Sequence, residues 1–198
     1  MSPLIETIRL EDGVFFNLAY HQERVDRSLD ELFNSSDRFM LGSFLNAQQY
    51  LNRGLYKCRV VYTDKIHEVQ FNEYVYTLPR RLKLVFDDHI LYDYKFEDRG
   101  KLTELYNQRG DADEIIIIKN HNVTDSFNYN ILFWDGKRWV TPDTPLLRGT
   151  MRQRLLDQSL ITESRIAIED IQSFTRVKLI NAMVGFNGPE IDVSEIVF

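Results

Sequence analysis

The residues with most to say about chemistry lie between Glu114 and Arg152. Glu114 leads into four isoleucines, Ile115 to Ile118. Val123-Thr124-Asp125-Ser126 follows, then Asn130-Ile131-Leu132-Phe133, then Thr141-Pro142-Asp143-Thr144-Pro145-Leu146-Leu147-Arg148-Gly149-Thr150-Met151-Arg152. A glycine followed by a polar residue at a helix start exposes backbone N–H groups, which makes the Gly149-Thr150 step a natural anion site. Asp125 lies at a turn after a buried strand and, taken alone, suits an ordinary turn or capping residue. The four histidines, at 21, 67, 89 and 121, have no metal-ligand spacing and no cysteine partner. A nucleophile elbow, a phosphate loop and a Gly-x-Gly-x-x-Gly turn are all missing from the sequence, which removes several common enzyme classes.

The elements that must position these residues can be read from periodicity. Leu4 to Leu10 alternates as a strand, Glu11-Asp12-Gly13 turns, and Val14 to Leu18 returns as a second strand, since Asp-Gly between apolar runs is a hairpin signal. Val25, Leu29 and Leu32 recur at helical spacing in a helix from Tyr20 to Phe33. Asn34-Ser35-Ser36-Asp37 ends it, and Phe39 to Leu51 reads as a second helix. Strands are expected at Tyr56 to Thr63, Ile66 to Phe71 and Leu82 to Phe86. Strands with two helices on one side suggest a small N-terminal α+β subdomain over 1–86, leaving 87–198 as a larger C-terminal subdomain. There, Lys101 to Arg109 is a short helix closed by Gly110, and Ile115 to Ile118 is a strand buried on both faces. Asn130 to Trp134 and Arg138 to Thr141 form a hairpin across Asp135-Gly136. Gly149 opens a helix to Leu160, Ile166 and Ile168 belong to another strand, and Val177 to Ala182 forms a last element of undefined type.

Of the 198 residues, 43% are hydrophobic and 27% charged, enough for a real core. Thirteen Phe and ten Tyr suit a β-rich protein. A net charge of -6 argues against nucleic acid as a partner, and the short run Arg80, Arg81, Lys83 reads as a solvated strand edge. The single cysteine, Cys58, can form no disulfide within the chain and fits a reducing, cytoplasmic setting. No apolar run approaches the ~20 residues of a membrane span, and the N-terminus has no secretory signal pattern.

In order and spacing, several stretches resemble the class IV aminotransferases and 4-amino-4-deoxychorismate lyases. They are Glu6-Thr7-Ile8-Arg9 with Asp12-Gly13, Leu18, His21 and Arg24; Lys95 with Asp98-Arg99; Ala112-Asp113-Glu114; Thr124-Asp125 with Asn130; and Gly149-Thr150-Met151-Arg152. The likeness runs from Glu6 to Ala182. It implies an α+β fold of two small α/β subdomains with pyridoxal 5'-phosphate in the cleft between them, a small-molecule amine substrate, and a homodimer. By the same resemblance, Lys95 would hold the cofactor as a Schiff base and, once released, act as the base. Arg24 would clamp the cofactor phosphate bidentately, the amides of Thr150 and Met151 would bind it at the helix start, and Asp125, with Asn130 beside it, would pair with the pyridine nitrogen. Arg59 matches a substrate-side arginine.

Two departures stand out. The family usually has Glu where this chain has Asp125, one methylene shorter. The chain also begins almost at the Glu6 motif, so part of the substrate pocket is expected to be missing or to come from a partner subunit. Ala112-Asp113-Glu114 and the Gly149 motif favour the lyase branch, whose products are pyruvate and 4-aminobenzoate. Glu6 favours the branch that transaminates branched-chain or D-amino acids. A degenerate relative that binds a ligand without catalysis is a third reading.

Overall fold

A computed structural model describes residues 2–35, 37–50 and 52–198. Ser36 and Leu51, named above at a cap and a helix end, lie outside the described residues. The chain divides into two compact units, Met1–Tyr76 with Tyr94–Asp98, and Thr77–Asp93 with Arg99–Phe198. Among the described residues, no helix is long and apolar enough to cross a membrane.

The first unit is built on an antiparallel sheet of order β2-β1-β3-β4, from β1 (Leu4–Glu11), β2 (Val14–Phe15), β3 (Leu55–Tyr62) and β4 (Ile66–Glu73). Asp12 and Gly13 both have positive φ, 46° and 80°, as a two-residue hairpin turn requires. Positive φ at Asn17 then starts α1 (Leu18–Ser28) early, so the expected strand Val14 to Leu18 is cut to two residues. A π turn, Leu29–Phe33, extends α1 to its expected end. The second helix is only α2 (Leu41–Asn46); beyond it Tyr50 packs its ring on Phe15 and Phe71. Leu4 and Ile8 of β1 and Cys58, Val60 and Tyr62 of β3 point to one face, where Val25, Leu29, Leu41 and Leu45 cover them.

The division differs from the expected boundary at residue 86. β5 (Leu82–Phe86) runs parallel to β6 (Glu114–Lys119), which ties it to the second unit. Lys95, expected in the C-terminal part, is held in the first unit. Ile5 N donates to Lys95 O (2.9 Å), Glu97 N donates to Pro3 O (2.8 Å), and Phe96 bridges Leu4. Backbone pairing with β1 outweighs chain order here.

The second unit has α3 (Gly100–Tyr106), a sheet of order β13-β5-β6-β7 and a sheet of order β10-β9-β8-β11-β12. The new strands are β7 (Asn122–Val123), β8 (Asn130–Trp134), β9 (Trp139–Pro142), β10 (Ile161–Ser164), β11 (Arg176–Ile180), β12 (Glu190–Asp192) and β13 (Ile196–Val197). As the isoleucine run predicts, Ile115 to Ile118 are buried on both faces. Ile116, Ile118, Ile131, Phe133, Val140, Val177 and Leu179 join one core. α4 (Thr150–Asp157) stops three residues before the expected Leu160. Ser159 takes φ 55° and Leu160 N donates to Leu155 O, a left-handed helix end, and the chain then enters β10 parallel to β9. Ile166 and Ile168 form no strand. Ile166 O accepts from Val123 N, and Ile168–Ser173 is a 3-10 helix. The element at Val177 to Ala182 is β11.

Candidate active site

In the first unit, β1 and α1 bring together three polar side chains that the core would otherwise reject. Glu6 and His21 are fully buried and Arg24 is nearly so. Arg24 Nε donates to Glu6 Oε1 (2.8 Å), Arg24 NH2 donates to Glu6 Oε2 (2.5 Å), and His21 Nδ1 meets the same Oε2 at 2.5 Å. Burial alone would raise the Glu6 pKa, but the Arg24 charge and the two hydrogen-bond partners outweigh it and hold the carboxyl at about 2. Burial lowers the His21 pKa against the pull of Glu6, and the positive charges of Arg24 and Lys95 lower it further. A neutral imidazole beside an ionised carboxylate must donate from Nδ1. The Nε–NH2 edge of Arg24 is thus taken by Glu6. A bidentate phosphate clamp on that edge is not possible.

Lys95 is half-buried. Tyr94 and Phe96 pack on the core of the unit, and Phe96 N donates to Tyr94 O (2.9 Å), so the chain turns tightly at Lys95. Arg59 of β3, in register with Thr7, lies on the face of the sheet opposite the core. Its NH2 donates to Glu97 Oε1 (2.5 Å) and its NH1 to Glu68 Oε2 (3.5 Å).

In the second unit, the turn between β7 and β8 brings Asp125, Asn130 and the start of α4 together. Asn130 Nδ2 donates to Asp125 Oδ1 (2.8 Å) and to Leu147 O (2.9 Å), while Leu147 N donates to Asp125 Oδ2 (2.8 Å). Asp125 is buried, and burial pushes its pKa up to about 6 although these donors and the Arg152 charge pull it down. α4 starts at Gly149 with no side-chain cap. A Cβ at Gly149 would lie 1.9 Å from Asn130 Oδ1, so only glycine lets the helix start approach this closely. Thr150 and Met151 are buried, and the Met151 side chain belongs to the core with Leu132, Leu155 and Ile180. Met151 can therefore contribute to a site only through its amide.

Sequence reasoning gave no role to the residues that grip this turn. Arg99 NH1 donates to Asn128 Oδ1 (2.7 Å), its NH2 donates to Phe127 O, and its guanidinium lies 4.1 Å over the Phe127 ring. Tyr106 stacks on Phe127 at 4.4 Å, and Arg109 covers Tyr106 at 4.1 Å. Buried Glu114 accepts from Ile115 N (2.9 Å) and Phe127 N (3.3 Å). The available signal was Arg99 spaced seven residues from Tyr106, two turns along a helix.

The mixed helix-and-sheet fold matches solved structures of fold type IV transaminases. Residues 100–188 match the amino-transferase class IV family. The chain belongs to that family and is one of its enzymes. An uncharacterized protein of Haemophilus influenzae is 42% identical over 187 residues, covering 93% of this chain and 100% of the relative. A crystal structure from Haemophilus somnus 129PT, assigned provisionally as a 4-amino-4-deoxychorismate lyase, is 38% identical with a TM-score of 0.88, covering 93% of this chain and 98% of that one. A hypothetical aminotransferase from Mycobacterium tuberculosis in its PLP-bound form shares the fold alone, at 14% identity and TM-score 0.78, covering 96% of this chain and 80% of that one.

Proposed function

We propose that this chain is a pyridoxal-phosphate enzyme that converts 4-amino-4-deoxychorismate into pyruvate and 4-aminobenzoate. The observation that carries the cofactor reading is Asp125, a buried carboxyl held at both oxygens whose pKa burial raises to about 6. Such a group gains most from a cationic neighbour, and a protonated pyridine nitrogen is one. The other residues that the family resemblance assigns carry chemistry suited to the same cofactor. Lys95 would offer an amine for the aldehyde. The glycine-started α4 would offer the amides of Thr150 and Met151 to the phosphate, and the Arg24 guanidinium would supply positive charge for it. Asn130 positions Asp125 and does not itself need to touch the cofactor.

When bound, the cofactor supplies an electron sink for the carbon that carries the substrate nitrogen. Lys95 Nζ takes the proton from that carbon. Asp125 stays ionised and keeps a proton on the ring nitrogen. Loss of pyruvate leaves an aromatic ring, and that aromaticity drives the step forward. The lyase branch is supported by the H. somnus protein, whose provisional assignment is the lyase and whose sequence is 38% identical. Transamination is the second reading, and Glu6, more typical of that branch, favours it. We also propose that the chain works as a homodimer, which size-exclusion chromatography with light scattering tests.

The test of the cofactor is a visible spectrum with added pyridoxal phosphate, then borohydride reduction and peptide mapping. A yellow species trapped on Lys95 is expected. Label scattered over surface lysines would leave a binding protein without the chemistry. With the label on Lys95, release of 4-aminobenzoate from aminodeoxychorismate supports the lyase, and keto-acid formation from branched-chain or D-amino acids supports the transaminase.

A further inference from the structure

The Arg59–Glu97 pair carries more than surface charge balance. Arg59 is three-quarters buried, with 24% of its side chain exposed, and it is held by two carboxylates, Glu97 at 2.5 Å and Glu68 at 3.5 Å. Glu97 is two residues beyond Lys95 on the segment that bridges β1 through Phe96, and its contact with Arg59 brings that segment against β3. The Arg59 guanidinium is therefore met by a carboxylate of Lys95's own segment before any substrate arrives.

We propose that Glu97 sets the affinity for carboxylate-bearing substrates: it occupies Arg59 as an internal competitor that a substrate carboxylate must displace. The inference rests on the reading of Arg59 as a substrate-side arginine. Exchange is feasible because Glu97, 39% exposed, returns to water when it lets go. Partly exposed ion pairs contribute only about 0.2–1 kcal/mol, so the pair is weak enough to open. A neutral amine offers nothing in return for Glu97. A carboxylate replaces it with an equivalent charge-assisted, planar contact. Carboxylate-bearing amines are thus admitted by exchange, and each of their affinities is reduced by the same internal competitor.

The probe is succinate, which has carboxylates and no amine and so cannot react with a carbonyl cofactor. Its binding to the full chain is measured by calorimetry, without pyridoxal phosphate, so the outcome does not depend on the cofactor reading, which the Lys95 label tests separately. Glu97→Gln should bind succinate roughly 1.4- to fivefold more tightly than the unaltered protein, the ratio equivalent to the ion-pair strength above. Glu68→Gln, which removes the longer contact, should give a smaller gain. Arg59→Gln should lose binding by about tenfold or more, as loss of a charged hydrogen-bond partner implies. Far-UV circular dichroism checks that each variant is folded. Equal or weaker binding by Glu97→Gln, unchanged binding by Arg59→Gln, or no binding by either the unaltered protein or Glu97→Gln overturns the proposal.

Discussion

Glu6 and Arg24, 18 residues apart in sequence, meet through two parallel hydrogen bonds of 2.8 and 2.5 Å inside the core of the first unit. The fork satisfies a carboxylate and a guanidinium where water cannot. Removing Glu6 takes away the carboxylate that both Arg24 and His21 meet.

Glu6→Ala should therefore cost roughly 3–5 kcal/mol of stability, the range for an uncompensated buried charge. Urea unfolding followed by far-UV circular dichroism measures it. The pH dependence has a defined sign. The Glu6 pKa is lowered from 4.5 to about 2, so its contribution is complete above 4.5 and is lost as pH falls through 2. His21, also lowered, adds a loss that begins as pH drops below its ordinary 6.5. Glu6→Gln should flatten the acid limb between pH 4.5 and 2; an unchanged limb would contradict the ion pair.

Asp125 acts with the opposite sign. Its pKa is raised from 3.8 to about 6, so folding is penalised where it is ionised: not below 3.8, fully above about 6. Asp125→Asn should gain stability relative to the unaltered protein on going from pH 4 to pH 8, by on the order of 2 kcal/mol. Any hydrogen bond it loses adds an offset that does not vary with pH. Added pyridoxal phosphate should then stabilise the unaltered protein more than Asp125→Asn at pH 8, measured as a shift in melting temperature. A pH-independent difference between the two would remove Asp125 as a strained buried acid.

Gly149→Ala forces Asn130 to move, since the new Cβ falls 1.9 Å from its Oδ1. Asn130 cannot move without releasing Asp125 and Leu147. A loss of about 1–3 kcal/mol is expected, the range for unsatisfied buried polar groups. In an Asn130→Ala background the obstacle is gone, and the same substitution should cost distinctly less. Additive costs in that double-mutant cycle would show that the two positions do not clash.

Arg99→Ala removes both the hydrogen bonds to Phe127 O and Asn128 and the cation stacked on Phe127. The turn between Asp125 and Asn130 should loosen, seen as faster amide exchange over 126–129. Arg99→Lys keeps the charge but not the planar fork, and should restore only part of the protection. Unaltered exchange in Arg99→Ala would assign the rigidity of the turn to its other anchors, Glu114 and the Tyr106 ring among them.

Much of this was legible in the residues. Asp12-Gly13 specified the hairpin, because two positive-φ positions are what that turn needs. The isoleucine run specified a strand buried on both faces, because apolarity without alternation leaves no face for water. Gly149 marked the start of α4. The family itself followed from ordered motifs, since local residue types at fixed separations survive in the linear text.

Side-chain partnerships across long separations did not. Nothing local to Glu6 says that its partner is Arg24 and that its carboxyl will be fully buried. Nothing local to Arg59 says that Glu97 will be waiting for it. Lys95 follows β5 in the chain yet joins the first unit, because the backbone of Tyr94–Asp98 finds its hydrogen-bond partners on β1. Sequence determines which groups exist and which local backbone shapes they allow. Which buried charges neutralise each other, and which edge of a guanidinium remains for a ligand, is decided only when distant segments exclude water together.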